Sequence, residues 1–109
     1  MIREDFHAHV YFDLEAIDTA RQVNQQAMDQ LPCARISTLR EREVGPHTKP
    51  MFEVVFAAEN REQVVQWLEQ NRQGLSVLVH PVTDDDYHAH TDGALWLGQP
   101  LALKLETLR

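Results

Sequence analysis

Six histidines stand in this 109-residue chain, and their placement is the first chemical signal in it. His7 and His9 form an i, i+2 pair, His88 and His90 form another, His80 precedes Pro81, and His47 follows Gly45-Pro46. Imidazole is a general acid–base group near neutral pH and the commonest side-chain metal ligand. Two imidazoles two residues apart on a strand share one face, about 7 Å apart along it, and can serve one divalent ion together. Glu53, inside the apolar run Met51-Phe52-Glu53-Val54-Val55-Phe56, needs a partner, because burying an unpaired carboxylate is costly. Two histidines and a carboxylate with open positions form the ligand set of non-haem Fe(II) oxygenases.

These side chains must be positioned by the elements that carry them. Residues 5–12 alternate, with Phe6, Val10 and Phe12 on the face expected to be core and His7 and His9 on the other. Met51 to Ala57 alternates likewise, so Phe52, Val54 and Phe56 predict a core face and Glu53 falls on the histidine face. Leu75 to Val79 is a dense apolar strand, and His80 lies out of phase with Leu75, Val77 and Val79. Three strands therefore send His or Glu to one predicted face.

Helical spacing of Leu14, Ile17, Ala20, Asn24, Ala27, Met28 and Leu31 predicts a helix over 14–31, with Asp13 as N-cap and Pro32 as its stop. Val64, Val65, Trp67 and Leu68 predict a second helix, opened by Asn60 with Gln63 in capping-box spacing and closed by Gly74. Residues 33–43 read as a strand, 83–92 as a polar loop, and Leu101 to Leu105 as a short final strand. The order β-α-β-β-α-β plus a C-terminal extension predicts a ferredoxin-like α+β fold, an antiparallel sheet with two helices on one face. Residues 1–109 are expected to form one domain.

Composition narrows the function. Apolar residues make up 43% and charged residues 25%, as in an ordinary globular protein. The net charge of −7, with scattered Lys and Arg, argues against nucleic acid. No apolar run reaches the ~20 residues of a membrane span, and residues 1–5 lack a signal-peptide core, so a cytoplasmic protein is expected. Cys33 alone forms neither an internal disulfide nor a CxxC metal knuckle, and reads as a small buried hydrophobe.

Five segments occur in an order that resembles the DOPA 4,5-dioxygenase family. They are His7-Ala8-His9-Val10-Tyr11-Phe12, Val44-Gly45-Pro46-His47, Pro50-Met51-Phe52-Glu53-Val54, Leu78-Val79-His80-Pro81, and His90-Thr91-Asp92 through Trp96-Leu97-Gly98-Gln99-Pro100-Leu101. The resemblance implies a ferredoxin-like fold, often dimeric, and extradiol cleavage of a catechol-type, DOPA-like ring with O₂ at a histidine-bound metal. It matches His7, His9, His47, His80, His90 and Glu53 to family motif positions, while His88 is additional. Gly93 and Leu101-Ala102-Leu103-Lys104 depart from the family pattern.

On this reading His7, His9 and His80 are expected to hold the metal, Fe(II) before Zn(II) or Mn(II). His47, His90 and Glu53 are the candidate catalytic groups, with His47 or His90 accepting a substrate proton at a pKa near working pH. Tyr11, Trp96 and His88 are candidates for substrate contact. Spacing leaves open which histidines are ligands and which are acid–base groups. A small aromatic substrate, O₂ and a second copy of the chain are the expected partners. The alternative is a non-catalytic ferredoxin-like dimer that binds a metal or a small molecule without turnover.

Overall fold

The computed structural model describes residues 2–108. Strands β1 (Phe6–Tyr11), β2 (Arg35–Ile36), β3 (Met51–Phe56), β4 (Val77–Pro81) and β5 (Leu95–Leu97) form one antiparallel sheet. The order is β2-β3-β1-β4-β5, so the first four strands take the 2-3-1-4 arrangement of the ferredoxin-like fold and β5 adds an edge. Helices α1 (Ile17–Gln30) and α2 (Arg61–Asn71) connect β1 to β2 and β3 to β4, and a single turn, α3 (Asp86–Ala89), lies between β4 and β5. Neither long helix, nor any other among the described residues, is long and apolar enough to cross a membrane.

Alternation builds the core as expected. Ala8, Val10, Phe52, Val54, Phe56, Val77 and Val79 pack against Val23, Ala27 and Leu31 from the α1 side and Val64 and Leu68 from α2. Burying each large side chain contributes about 1.5–3 kcal/mol. Phe6 stacks on Phe56 at 5.6 Å between ring centroids. Trp67 is half-buried and its indole N–H donates to Gln30 Oε1 at 2.7 Å, joining the two helices.

Several local expectations are corrected. The predicted strand over 33–43 shrinks to Arg35–Ile36 and one bridge from Arg40 to Met51. Ser37 N donates to Glu53 O, whereas the next pairing joins Arg40 to Met51; one extra residue enters this edge as a bulge and ends regular pairing. The predicted final strand is a single bridge, His47 to Leu103, followed by a 3-10 turn at Leu105–Leu108. The first helix begins with a 3-10 turn at Leu14–Ala16, and Leu14 and Met28 are exposed while Val23 is buried in their stead. Asp13 and Asn60 make no side-chain cap; Asp13 pairs with Lys49 at 3.1 Å, and Asn60 closes a 3-10 turn that leads directly into α2. The polar segment 83–92 is not wholly loop, because Asp85 accepts from the His88 N–H and starts α3.

Candidate metal centre

The sheet face away from the helices carries the histidines, and the register decides which of them meet. His7 lies opposite His80 on β4, and His9 lies opposite Glu53 on β3 and Leu78 on β4. Directly opposed residues project to the same face, so His7, His9, Glu53 and His80 converge. The Nε2 atoms of His9 and His80 are 3.0 Å apart. Glu53 Oε2 sits 3.8 Å from His7 Nδ1 and 3.9 Å from His9 Nδ1, near enough for charge attraction but too long for a hydrogen bond.

Two more imidazoles arrive from outside the sheet. The turn Val44–His47, with Gly45 at φ +56°, brings His47 over β1 until its ring centroid is 4.0 Å from that of His9. The C-terminal segment clamps this turn: Lys104 N donates to Pro46 O, Thr48 Oγ1 donates to Ala102 O, and Lys104 pairs with Glu43. His90 follows α3, and its ring lies 4.0 Å from that of His80. His9, His47, His80 and His90 are all buried, and His7 is partly exposed at the rim. Two overlapping triads, His7–His9–His80 and His9–His47–His90, each bring three nitrogens within 4.8 Å of one another, and His9 belongs to both.

Hydrogen bonds orient these rings. His80 Nδ1 donates to Pro81 O and His90 Nδ1 donates to Asp86 O; a carbonyl only accepts, so each neutral ring keeps its Nε2 lone pair free. His47 Nδ1 shares a 2.7 Å hydrogen bond with the Tyr11 hydroxyl. Fixing one ring nitrogen this way is how proteins orient metal-binding histidines. His7 differs, since its Nε2 is held by Glu4 Oε1 at 2.6 Å.

Burial disfavours charge on this group. It lowers His47 to about 3, helped by repulsion from neighbouring imidazoles, and lowers His80 to about 4. His9 is pushed well below its usual value for the same two reasons. His47 therefore does not titrate near neutral pH, contrary to expectation; it stays neutral, the form in which imidazole binds a cation. Burial also raises the Tyr11 hydroxyl, which keeps its proton.

The donor set fits a metal ion, and His9 gives the sharpest test. Its Nδ1 is buried without a hydrogen-bond partner. With no ion, the His9 Nε2–H would donate to His80 and leave Nδ1 a buried, unsatisfied acceptor, which is costly. A cation on Nε2 places the remaining proton on Nδ1, facing the Glu53 carboxylate.

The other candidates sit at different distances from this group. Tyr11 is buried, with its hydroxyl spent on His47 and its ring stacked on Trp96 at 5.8 Å. Trp96, half-buried, extends an apolar floor of Tyr11, Met51 and Leu78, flanked by Val44, Leu101 and Leu103. His88 lies outside the cluster, exposed and hydrogen-bonded to Asp85, whose carboxylate raises its pKa. Sequence reading missed Glu4, which holds His7, and the 102–104 segment, which holds the His47 turn. Glu4 is an exposed carboxylate three residues before His7, and the 102–104 segment shows a strand-like alternation that says nothing of the distant turn it clamps.

Comparison with known proteins bears on the family and the fold. The profile of the Dopa 4,5-dioxygenase family matches residues 6–107. A crystal structure of a candidate dioxygenase from Nostoc punctiforme is 40% identical, with a TM-score of 0.91 over 97% of this chain and 91% of that one. An uncharacterised protein of Botryotinia fuckeliana is 34% identical over 99% of this chain and 65% of its own length. DOPA 4,5-dioxygenase of Amanita muscaria is 28% identical over 96% of this chain and 50% of its own length. The chain thus spans half to two-thirds of the curated relatives it matches. By the extent of the profile match, this chain belongs to the Dopa 4,5-dioxygenase family.

Proposed function

We propose that this protein is a metal-dependent dioxygenase that opens a catechol-type aromatic ring with O₂. The observation that carries the reading is the cluster of four buried imidazoles, with an orphaned His9 Nδ1 facing Glu53, beside an aromatic floor. His9, His47, His80 and His90 would hold the ion, because each is buried and the last three have Nδ1 committed elsewhere. Fe(II) is the ion that suits imidazole ligands and O₂ chemistry together. Bound there, the metal would lower the pKa of a phenolic oxygen as it lowers that of water.

The chain's own residues do the rest. Half-buried Trp96, backed by the buried Tyr11 ring and Leu78, offers an aromatic face to a planar ring. Burial keeps His9, His47 and His80 neutral, so the cluster tolerates an anionic phenolate without carrying charge of its own. Glu53 faces both His9 and His7, and its carboxylate attracts the His9 Nδ1–H through charge, which favours the tautomer that frees Nε2 for the ion. His7, held by Glu4 at 2.6 Å, closes the rim of the cluster.

The test is oxygen uptake by metal-stripped, Fe(II)-reconstituted protein given a panel of catechols including DOPA, with absorbance read for a yellow ring-opened product. Uptake with a yellow product is expected. Tight metal binding without uptake across the panel would overturn the reading in favour of a non-catalytic binding protein.

A further inference from the structure

We infer that Asp85 is a positioning residue for the metal centre: by capping α3 it fixes the Asp86 carbonyl that orients the His90 imidazole. The inference rests on the reading of His90 as a metal ligand, and adds what makes that imidazole available.

His90 reaches the cluster from outside the sheet, so no strand pairing sets its position. Its ring lies 4.0 Å from that of His80 and 5.8 Å from that of His47. The Asp86 carbonyl holds both backbone and ring: it accepts from the His90 N–H at 3.0 Å and from His90 Nδ1 at 2.8 Å. A carbonyl oxygen has two lone pairs and can take both. The direction of this carbonyl therefore governs where the His90 Nε2 lone pair points.

That carbonyl belongs to a single helical turn, Asp86–Ala89. A first turn fixes several dihedrals for one hydrogen bond and is unfavourable alone. Ala89 is buried and Tyr87 half-buried, but 82–86 and His88 are exposed, so apolar burial does little for the start of the turn. Asp85 supplies what is missing. Its Oδ1 accepts from the His88 N–H at 3.0 Å, the bond of a helix N-cap, and its own carbonyl accepts from the Ala89 N–H at 3.0 Å. Thr83 clasps Asp85 in turn: the hydroxyl donates to the Asp85 carbonyl at 3.2 Å and accepts from the Asp85 N–H at 3.1 Å. The Asp85 side chain is 56% exposed and bonded to His88 rather than to a ring of the cluster, so its effect passes through the backbone of α3.

The far end of the segment is seated separately. The His88 carbonyl accepts from the Gly93 N–H at 2.8 Å, and a methyl group on Gly93 would stand 3.3 Å from Pro81 Cγ. Gly93 thus lets the segment settle against β4, the strand that carries His80. With that exit pinned, the Asp85 cap sets how the turn leading into His90 is wound.

The test is metal affinity by chelator competition, with Co(II) as the probe because its visible bands report the ligands around it. D85A is expected to bind Co(II) about tenfold more weakly and to show the bands of H90A rather than those of the wild type. D85N keeps an oxygen that can accept from the His88 N–H and should bind as the wild type does. H90A should itself bind more weakly, and adding D85A to it should change the affinity no further, because the residue through which Asp85 acts is gone. Circular dichroism checks the folding of each variant. Wild-type affinity in D85A, a D85N as weak as D85A, a second loss on adding D85A to H90A, or an unfolded D85A would overturn the inference and leave His90 standing as a ligand. Wild-type affinity and bands in H90A would overturn the two together.

Discussion

The Nε2 atoms of His9 and His80 lie 3.0 Å apart across β1 and β4, although 71 residues separate them in the chain. That approach ties together both histidine triads, since His9 belongs to each. Removing His9 should therefore empty the site whichever triad dominates. H9A is expected to lose bound metal and all oxygen uptake, while H88A keeps both, because His88 is exposed and bonded to Asp85. Metal analysis of the two purified variants, with circular dichroism to confirm folding, checks this; full metal occupancy in H9A would contradict it.

Tyr11 and His47 form the second decisive contact. The hydroxyl holds His47 Nδ1 at 2.7 Å, and the tyrosine ring stacks on Trp96. Y11F keeps the stack and removes the hydrogen bond. Metal affinity should fall by about 10–100-fold, the usual consequence of losing a group that orients a ligand. Competition against a chelator measures it. An affinity unchanged from the wild type would show that His47 is oriented by the turn alone.

How much of this was legible beforehand depends on whether local periodicity or long-range register was needed. Period-two alternation was enough to put His7, His9, Glu53 and His80 on one face, because each lies in a strand whose other face is strongly apolar. It could not show that His7 meets His80 or that His9 meets Glu53, since register is set by pairing across the sheet. The positions of His47 and His90 had no periodic signal and rested on family resemblance; a Gly45 turn clasped by residues 102–104 and the single turn α3 place them. The edge segment 37–42 misled for a physical reason: a bulge breaks the alternation that a strand would show.

Phe52 tests the separation between core and site. It is fully buried among Val10, Val54 and the helices, on the opposite face from its neighbour Glu53. F52A should destabilise the fold by about 3–5 kcal/mol, through lost burial and the cavity left behind. Urea unfolding should show a lower midpoint, while metal bound per folded molecule at low temperature stays near the wild-type value. A loss below 1 kcal/mol would mean that the core closes around the gap.

Acid should unfold the metal-free protein earlier than its surface charges would. Burial sets His47 to about 3 and His80 to about 4, against an ordinary value of 6.5. The unfolded chain therefore binds more protons than the native one below pH 6.5, and stability falls as pH falls. The contribution is fully present above about pH 6.5 and is lost progressively toward pH 4 for His80 and pH 3 for His47. At pH 4 the cost is of the order of 3 kcal/mol for each, a large share of the 5–15 kcal/mol typical of a domain. His9 is shifted in the same direction and adds to the loss. Glu4, Asp5 and Asp85, held below their usual range by hydrogen bonds, act with the same sign at lower pH but are at the surface. His88 acts oppositely: Asp85 raises it, so its contribution is present below pH 6.5 and fades as pH rises through its folded value. Urea midpoints of metal-free protein at pH 7, 5.5 and 4.5 should fall steadily. Bound metal should raise the midpoint most at pH 7, because protons compete for the same nitrogens. A midpoint that is flat over this window would mean that water reaches the histidine cluster and charges it at little cost.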